Sequence, residues 1–138
     1  DREKGFLLEC ASHKGVSARV SFADAYSFEA GRAEMLELLT APLAEAYFCG
    51  DDVLSIGAIS ALETAGLSVP EDVGILGLND IAMAKWENIN LTTINNPFSQ
   101  IIAASIEQVT ALVEDQNITP KAHLFECSVI ERGTLRAR

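Results

Sequence analysis

The segment Val73-Gly74-Ile75-Leu76-Gly77-Leu78 constrains the fold more than any other. It is six residues long, carries no polar side chain and is closed by Asn79-Asp80. An apolar run of that length reads as a parallel strand covered on both faces. An earlier strand over residues 44–49, Ala44-Glu45-Ala46-Tyr47-Phe48-Cys49, runs through Gly50-Asp51-Asp52 into an Ala-, Leu- and Ile-rich helix over 53–65. Asp51 or Asp52 caps that helix, and Gly66 stops it as the glycine beyond its last turn. Two consecutive strand–helix units, 46–65 and 73 onward, predict an open α/β fold.

The rest of the chain fits that plan. Residues 2–14 read as a helix ending near Gly15, with His13 and Lys14 in its last turn, where the helix dipole favours cations. Residues 17–22 read as a short strand. Ser27 caps a helix over 28–40, which turns Met35, Leu36, Leu38 and Leu39 inward and Glu29, Glu34 and Glu37 toward water; Pro42 ends that region. After a less regular stretch over 81–93, Leu91-Thr92-Thr93-Ile94 is a short extended segment. A long helix covers 99–114, a last strand 122–130, and Glu131-Arg132-Gly133-Thr134 is its polar exit. The charged start without an initiator Met reads as an internal cut, and a strand is expected ahead of Asp1.

Composition excludes several classes. Of 138 residues, 49% are hydrophobic and 22% charged, which is enough for a core and too apolar for a disordered chain. No apolar run reaches bilayer length, and no signal peptide opens the chain. The net charge of −10 repels phosphate backbones, so this chain alone is not expected to bind nucleic acid. Cys10, Cys49 and Cys127 are odd in number and lack C-x-x-C spacing; they read as buried free thiols of a cytoplasmic protein. His13 and His123 stand near no recognisable nucleophile, so surface or core roles are expected of them. There is no dinucleotide fingerprint and no phosphate loop, hence no enzyme and no cofactor. No His or Cys joins the acidic residues, so no metal is expected.

In an open α/β sheet, ligands bind beyond the C-terminal strand ends. Asp51 and Asp52 follow one strand, Asn79 and Asp80 the other, so neighbouring strands would bring them to one crevice. Carboxylates and amides there suit a polyol, whose hydroxyls both donate and accept. Plain capping explains the first Asp pair equally well. Trp86, Tyr26, Phe28 and Phe98 offer flat apolar surfaces for a sugar ring, although core packing is the commoner use of any single aromatic. Tyr26, just before a helix start, and Phe98, after Pro97, sit at plausible cleft edges.

Several motifs in order give the chain a family resemblance. Phe48-Cys49-Gly50-Asp51-Asp52-Val53-Leu54-Ser55-Ile56-Gly57-Ala58 resembles a strand–Asn-Asp–helix segment of the LacI/GalR transcription repressors. Ala61-Leu62-Glu63-Thr64-Ala65-Gly66-Leu67-Ser68-Val69-Pro70-Glu71-Asp72-Val73 is similar to their helix end and Val-Pro turn. Ile75-Leu76-Gly77-Leu78-Asn79-Asp80-Ile81 resembles their strand ending in Gly-aromatic-Asp-Asp/Asn, and Leu91-Thr92-Thr93-Ile94-Asn95-Asn96-Pro97 their Leu-Thr-Thr hinge. Ile130-Glu131-Arg132-Gly133-Thr134 resembles their terminal motif, Arg2-Glu3-Lys4-Gly5-Phe6 their helix opening, and residues 26–39 the helix that follows.

The resemblance implies a truncated, three-layer, open parallel-sheet lobe of a periplasmic-binding-protein-like fold. It places 1–93 in the C-terminal lobe of an effector domain. Residues 94–117 then cross into the N-terminal lobe, and 118–138 return. It implies a cytoplasmic repressor, dimeric, without a membrane partner, that senses a sugar-like molecule and touches DNA only through a headpiece absent here. A solute-binding protein of transport or chemotaxis is the alternative. The implied effector contacts are Arg2, Tyr26, Asp51, Asn79, Asn96 and Phe98. Arg2 would bond hydroxyls or an anionic group, Tyr26 stack on a ring, Asp51 and Asn79 bond ring hydroxyls, and Asn96 sense closure at the hinge. Against the family pattern, Asp51 stands where Asn is usual and Asn79 where Asp is usual. Asn96 replaces Gln, and Leu78 replaces an aromatic.

Overall fold

The computed structural model describes residues 2–115, 118–119 and 121–136. A four-stranded sheet in the order β1-β2-β3-β4 forms its centre, with β1 Ala46–Phe48, β2 Gly74–Leu78, β3 Thr93–Asn95 and β4 Ser128–Ile130. β1, β2 and β3 run parallel, with Tyr47 opposite Ile75 and Gly77 opposite Thr93. β4 is antiparallel to β3, pairing Ile130 with Thr93. The sheet is therefore mixed: the open parallel core is as expected, and its last strand is antiparallel. The chain leaves through β3 and comes back through β4, so this pair runs in opposite directions.

Among the described residues, four α-helices accompany the sheet: α1 Arg2–Ser12, α2 Phe28–Leu38, α3 Asp52–Thr64 and α4 Phe98–Glu114. A short 3-10 turn, Ala82–Lys85, lies in the stretch read as irregular. α3 contributes more of the core than any other element. Its residues Ala58, Ile59, Ala61 and Leu62 are buried with Met35 of α2, Val73, Ile75, Ala84 and Leu91. α2 and α3 pack without intervening side chains where Gly31 meets the backbone of Leu54 and Gly57 meets that of Phe28. Caps set the helix limits. Ser27 Oγ accepts from the Ala30 N–H at 3.1 Å. At the far end of α3, Gly66 adopts φ 78°, the Gly66 N–H donates to Glu63 O, and the Leu67 N–H donates to Leu62 O. That is the paired-bond stop which a glycine permits.

Several local expectations change. Residues 17–22 join no ladder. A strand exists only through a partner's hydrogen bonds, and here Arg19 merely reaches Pro42 O at 3.1 Å while Val20 and Phe22 stay exposed. The last strand is confined to Ser128–Ile130, and Leu124 is fully exposed. Leu36 points outward, because it is about 100° around the helix from buried Met35. His13 lies just past α1, its Nε2 2.9 Å from Glu9 Oε1. The supposed polar exit is partly internal. The buried Thr134 hydroxyl donates to Ile75 O at 2.7 Å and accepts from the Thr92 N–H at 2.9 Å, which fastens β2 to the start of β3.

Candidate functional site

The C-terminal ends of the parallel strands meet as the topology requires, and their polar residues form one connected chain. Asp51 caps α3: its Oδ1 accepts from the Val53 N–H at 2.8 Å. This resolves the choice between the two aspartates. Asp51 Oδ2 accepts from Asn79 Nδ2 at 2.7 Å. Asn79 Oδ1 accepts from Asn96 Nδ2 at 2.7 Å. Asn96 Oδ1 in turn accepts from the Cys127 thiol at 3.1 Å. Asp51, Asn79 and Asn96 are half-buried. Each amide keeps one N–H and one acceptor lone pair beyond these bonds, so the row alternates donors and acceptors. The α3 N-terminus adds its partial positive charge beneath the Asp51 carboxylate.

Asp52 does different work from its neighbour. It is fully buried, its Oδ1 accepts from Thr93 Oγ1 at 2.5 Å, and its Oδ2 accepts from the Ile81 N–H at 2.8 Å. It thereby pins α3 to the exit of β2 and the start of β3. Burial pushes its pKa up. The bonds from Thr93 and Ile81 pull the other way, and the nearby Asp51 and Asp80 charges raise it further. A Cβ on Gly77 would overlap the Asp52 carboxylate, which is why that strand position is a glycine.

Arg2 reaches the same strand end, Nη1 donating to Gly50 O at 2.6 Å. Tyr26 is 72% exposed and Phe98 is 49% exposed, and neither joins the hydrogen-bonded chain. The structure thus gathers Asp51, Asn79 and Asn96, sets Arg2 next to them, and leaves the two aromatic rings outside the network. The cysteines differ from the expectation of burial. Cys10 and Cys49 are half-buried and Cys127 is exposed, because it lies on the short segment leading into β4. Burial of the Cys49 sulfur pushes its thiol up to about 11, with the Ser55 hydrogen bond lowering it and Asp52 raising it. Such a thiol is protonated at neutral pH and is a poor nucleophile.

Asp80, expected in the crevice with Asn79, turns instead to Arg132, and the residues overlooked in the sequence are Asn95, Arg132 and Cys127. Asp80 Oδ1 accepts from Arg132 Nη2 at 2.6 Å, and Asp80 Oδ2 accepts from Asn95 Nδ2 at 3.3 Å. Arg132 and Cys127 lie more than 30 positions from their partners, so no local pattern could pair them. Asn79 and Asp80 adopt φ 107° and 51°. Successive left-handed residues that are not glycine cost about 1–3 kcal/mol each, and Asn and Asp tolerate them best. Among the described residues, no group of three His, Cys, Asp or Glu could hold a metal ion. No helix among them is long and apolar enough to cross a membrane.

Known proteins resemble this chain in sequence and fold. The HTH-type transcriptional repressor CytR of Escherichia coli (strain K12) is 34% identical over 113 residues, 81% of this chain and 33% of that protein. A LacI-family transcriptional regulatory protein from Corynebacterium glutamicum superposes with a TM-score of 0.80 at 31% identity, over 99% of this chain and 53% of that one. A LacI-family transcriptional regulator from Enterococcus faecium with bound ribose gives a TM-score of 0.72 at 26% identity, over 80% of this chain and 41% of that one. The chain spans about a third of the length of CytR, one of the curated relatives it matches. Because residues 1–135 match the family model of the periplasmic binding protein-like domain, the chain belongs to that family.

Proposed function

We propose that this chain is the effector-sensing part of a LacI/GalR-type transcription repressor, and that Asp51, Asn79 and Asn96 hydrogen-bond the hydroxyls of a sugar-like effector. The carrying observation is the continuous Asp51–Asn79–Asn96 row at the strand ends. Bound ribose in the Enterococcus faecium regulator supports the ligand class. The repressors among the relatives favour a regulator over a carrier of transport or chemotaxis. Arg2 supplies further donors at the rim, and Tyr26 and Phe98 supply ring faces once a ligand closes the cleft. The relatives are transcriptional regulators, which supports a ligand that is bound and released unchanged.

The lobe assignment is part of the proposal: 1–93 in the C-terminal lobe, 94–117 crossing to the N-terminal lobe, 118–138 returning. In support, α4 buries none of its side chains and exposes Ile102, Ile106, Val109 and Val113 at helical spacing. Such a stripe normally faces a core. Effector binding between the lobes shifts an equilibrium between two forms, and a cytoplasmic homodimer transmits the shift to DNA through headpieces outside this chain.

Calorimetric titration of the whole protein with pentoses, hexoses, nucleosides and sugar phosphates tests the ligand reading. A micromolar ligand is expected, with Asn79→Ala and Tyr26→Ala each weakening it about tenfold, as loss of one hydrogen bond or one ring contact does. Undiminished binding in both variants would place the ligand elsewhere.

A further inference from the structure

The turn that aims Asn79 is held from outside the row of ligand-facing groups. Asp80, next in the chain, is met by Arg132 at 2.6 Å, and their side chains are 8% and 13% exposed. Lys85 Nζ stands farther off, 3.9 Å from Asp80 Oδ2, on a largely exposed side chain. Arg132 is itself fixed at two further points. Its Nη1 donates to Leu91 O at 2.7 Å, and its backbone N–H donates to Thr92 Oγ1 at 2.9 Å. One guanidinium therefore bridges the entry of β3 and the exit of β2. Its planar fork serves a carboxylate and a carbonyl together, which a lysine ammonium on a flexible stem matches poorly.

Asn79 and Asp80 both sit at positive φ, and the Asn79 N–H donates to Ile94 O at 2.8 Å. The side-chain bonds of Asn79 go to half-buried groups that a ligand would also engage. They are poor anchors for a strained backbone, whereas the nearly buried Asp80–Arg132 pair is a firm one. Relaxation of either residue out of the left-handed region would rotate the Asn79 amide away from Asp51 and Asn96.

We infer that Arg132 is a positioning residue for the cleft: through Asp80 it holds the Asn79–Asp80 turn left-handed and so aims the Asn79 amide along the row. This rests on the reading of Asn79 as a ligand contact. Arg132 lies just beyond β4, so ligand affinity becomes sensitive to how the returning strand is seated.

The test is a double-mutant cycle in the whole protein, read by calorimetry against the sugar ligand and by thermal melting. Arg132→Met is expected to weaken binding about tenfold, with Arg132→Lys restoring part of the loss. Asn79→Gly accepts the left-handed backbone but lacks the amide. In that background Arg132→Met should cost no further affinity, while still lowering Tm as it does in the wild type. Additive losses of affinity would overturn the inference, because a purely structural arginine acts regardless of Asn79. A ligand-free crystal structure of Arg132→Met reads the turn directly. Departure of Asn79 from positive φ is expected, and an unchanged turn would overturn the inference whether or not a sugar binds. Failure of the wild type to bind any sugar counts against the sensing reading alone, and the crystal structure still decides the role of Arg132.

Discussion

Gly57→Ala is expected to lower the stability of the protein by about 3 kcal/mol, the upper range for forcing a methyl group into a closely packed contact. The added Cβ would overlap the backbone oxygen of Phe28 and lie 2.7 Å from the Arg32 nitrogen. Both are backbone atoms of α2, so no side chain can rotate aside. The helices must separate, which loosens the contact that buries Met35 against Ala58 and Leu62. Alanine's better helix propensity recovers only about 1 kcal/mol of that strain. Gly5 in α1 is the internal control: nothing lies within 4 Å of its would-be Cβ. Gly5→Ala should therefore be neutral or stabilise slightly, by about 0.5–1 kcal/mol. Urea unfolding of the two variants checks the contrast. Equal stability of Gly57→Ala and wild type would mean that α2 and α3 do not approach as closely as described.

Asp52→Ala is expected to have a comparable effect, about 2–4 kcal/mol, because it strands the Ile81 N–H and the Thr93 hydroxyl in a buried site and leaves a cavity. Asp52→Asn should behave differently. Its amide oxygen accepts from Ile81, its nitrogen donates to the Thr93 hydroxyl turned acceptor, and no charge is buried. The pH dependence follows from the raised pKa of Asp52. The folded state holds the proton more tightly than the unfolded chain does. Between the ordinary carboxylate range and the raised folded value, the folded state thus binds more protons, and stability falls as pH rises. Below that window the neutral form is present in both states, and the contribution is complete. Asp52→Asn should lack this falling segment and match or exceed wild-type stability at neutral pH. Unfolding measured from pH 3.5 to 8 separates the cases; a deficit in Asp52→Asn as large as in Asp52→Ala would show that the ionised carboxylate itself is required.

The architecture was legible because two signals agree. The apolar run over 73–78 requires cover on both faces, and Asp51 and Gly66 punctuate the helix before it. What escaped the reading depends on distant partners. Residues 17–22 look like a strand by alternation, yet pairing is decided by the neighbour, and none takes their hydrogen bonds into a ladder. The direction of β4 follows from the return of the chain, not from its three residues. Of the candidate site, Asp51 and Asn79 were visible because strand ends are where side chains of an α/β sheet converge. Their polar neighbours Asp52 and Asp80 also follow strand ends, but face inward to Thr93 and Arg132. Adjacent polar residues cannot be told apart from sequence when a single turn of backbone decides which of them is buried.

The substituted pair also acquires a physical meaning. Asp51 and Asn79 exchange the residue types of the resembled family, and the two bond each other at 2.7 Å. The pair is a carboxylate and an amide, so the row carries one negative charge and a charge-assisted bond. The charge stands at the N-terminus of α3, where the helix dipole favours it.

The most direct test of the central claim is the affinity of the whole protein for its operator DNA, measured by fluorescence anisotropy with and without the sugar ligand at fixed salt. The account predicts a change of about fivefold or more, in the usual range of coupling between sites, that disappears with Asn79→Ala. Tight sugar binding with operator affinity unchanged would contradict it, and would make this cleft a binding site without a regulatory role.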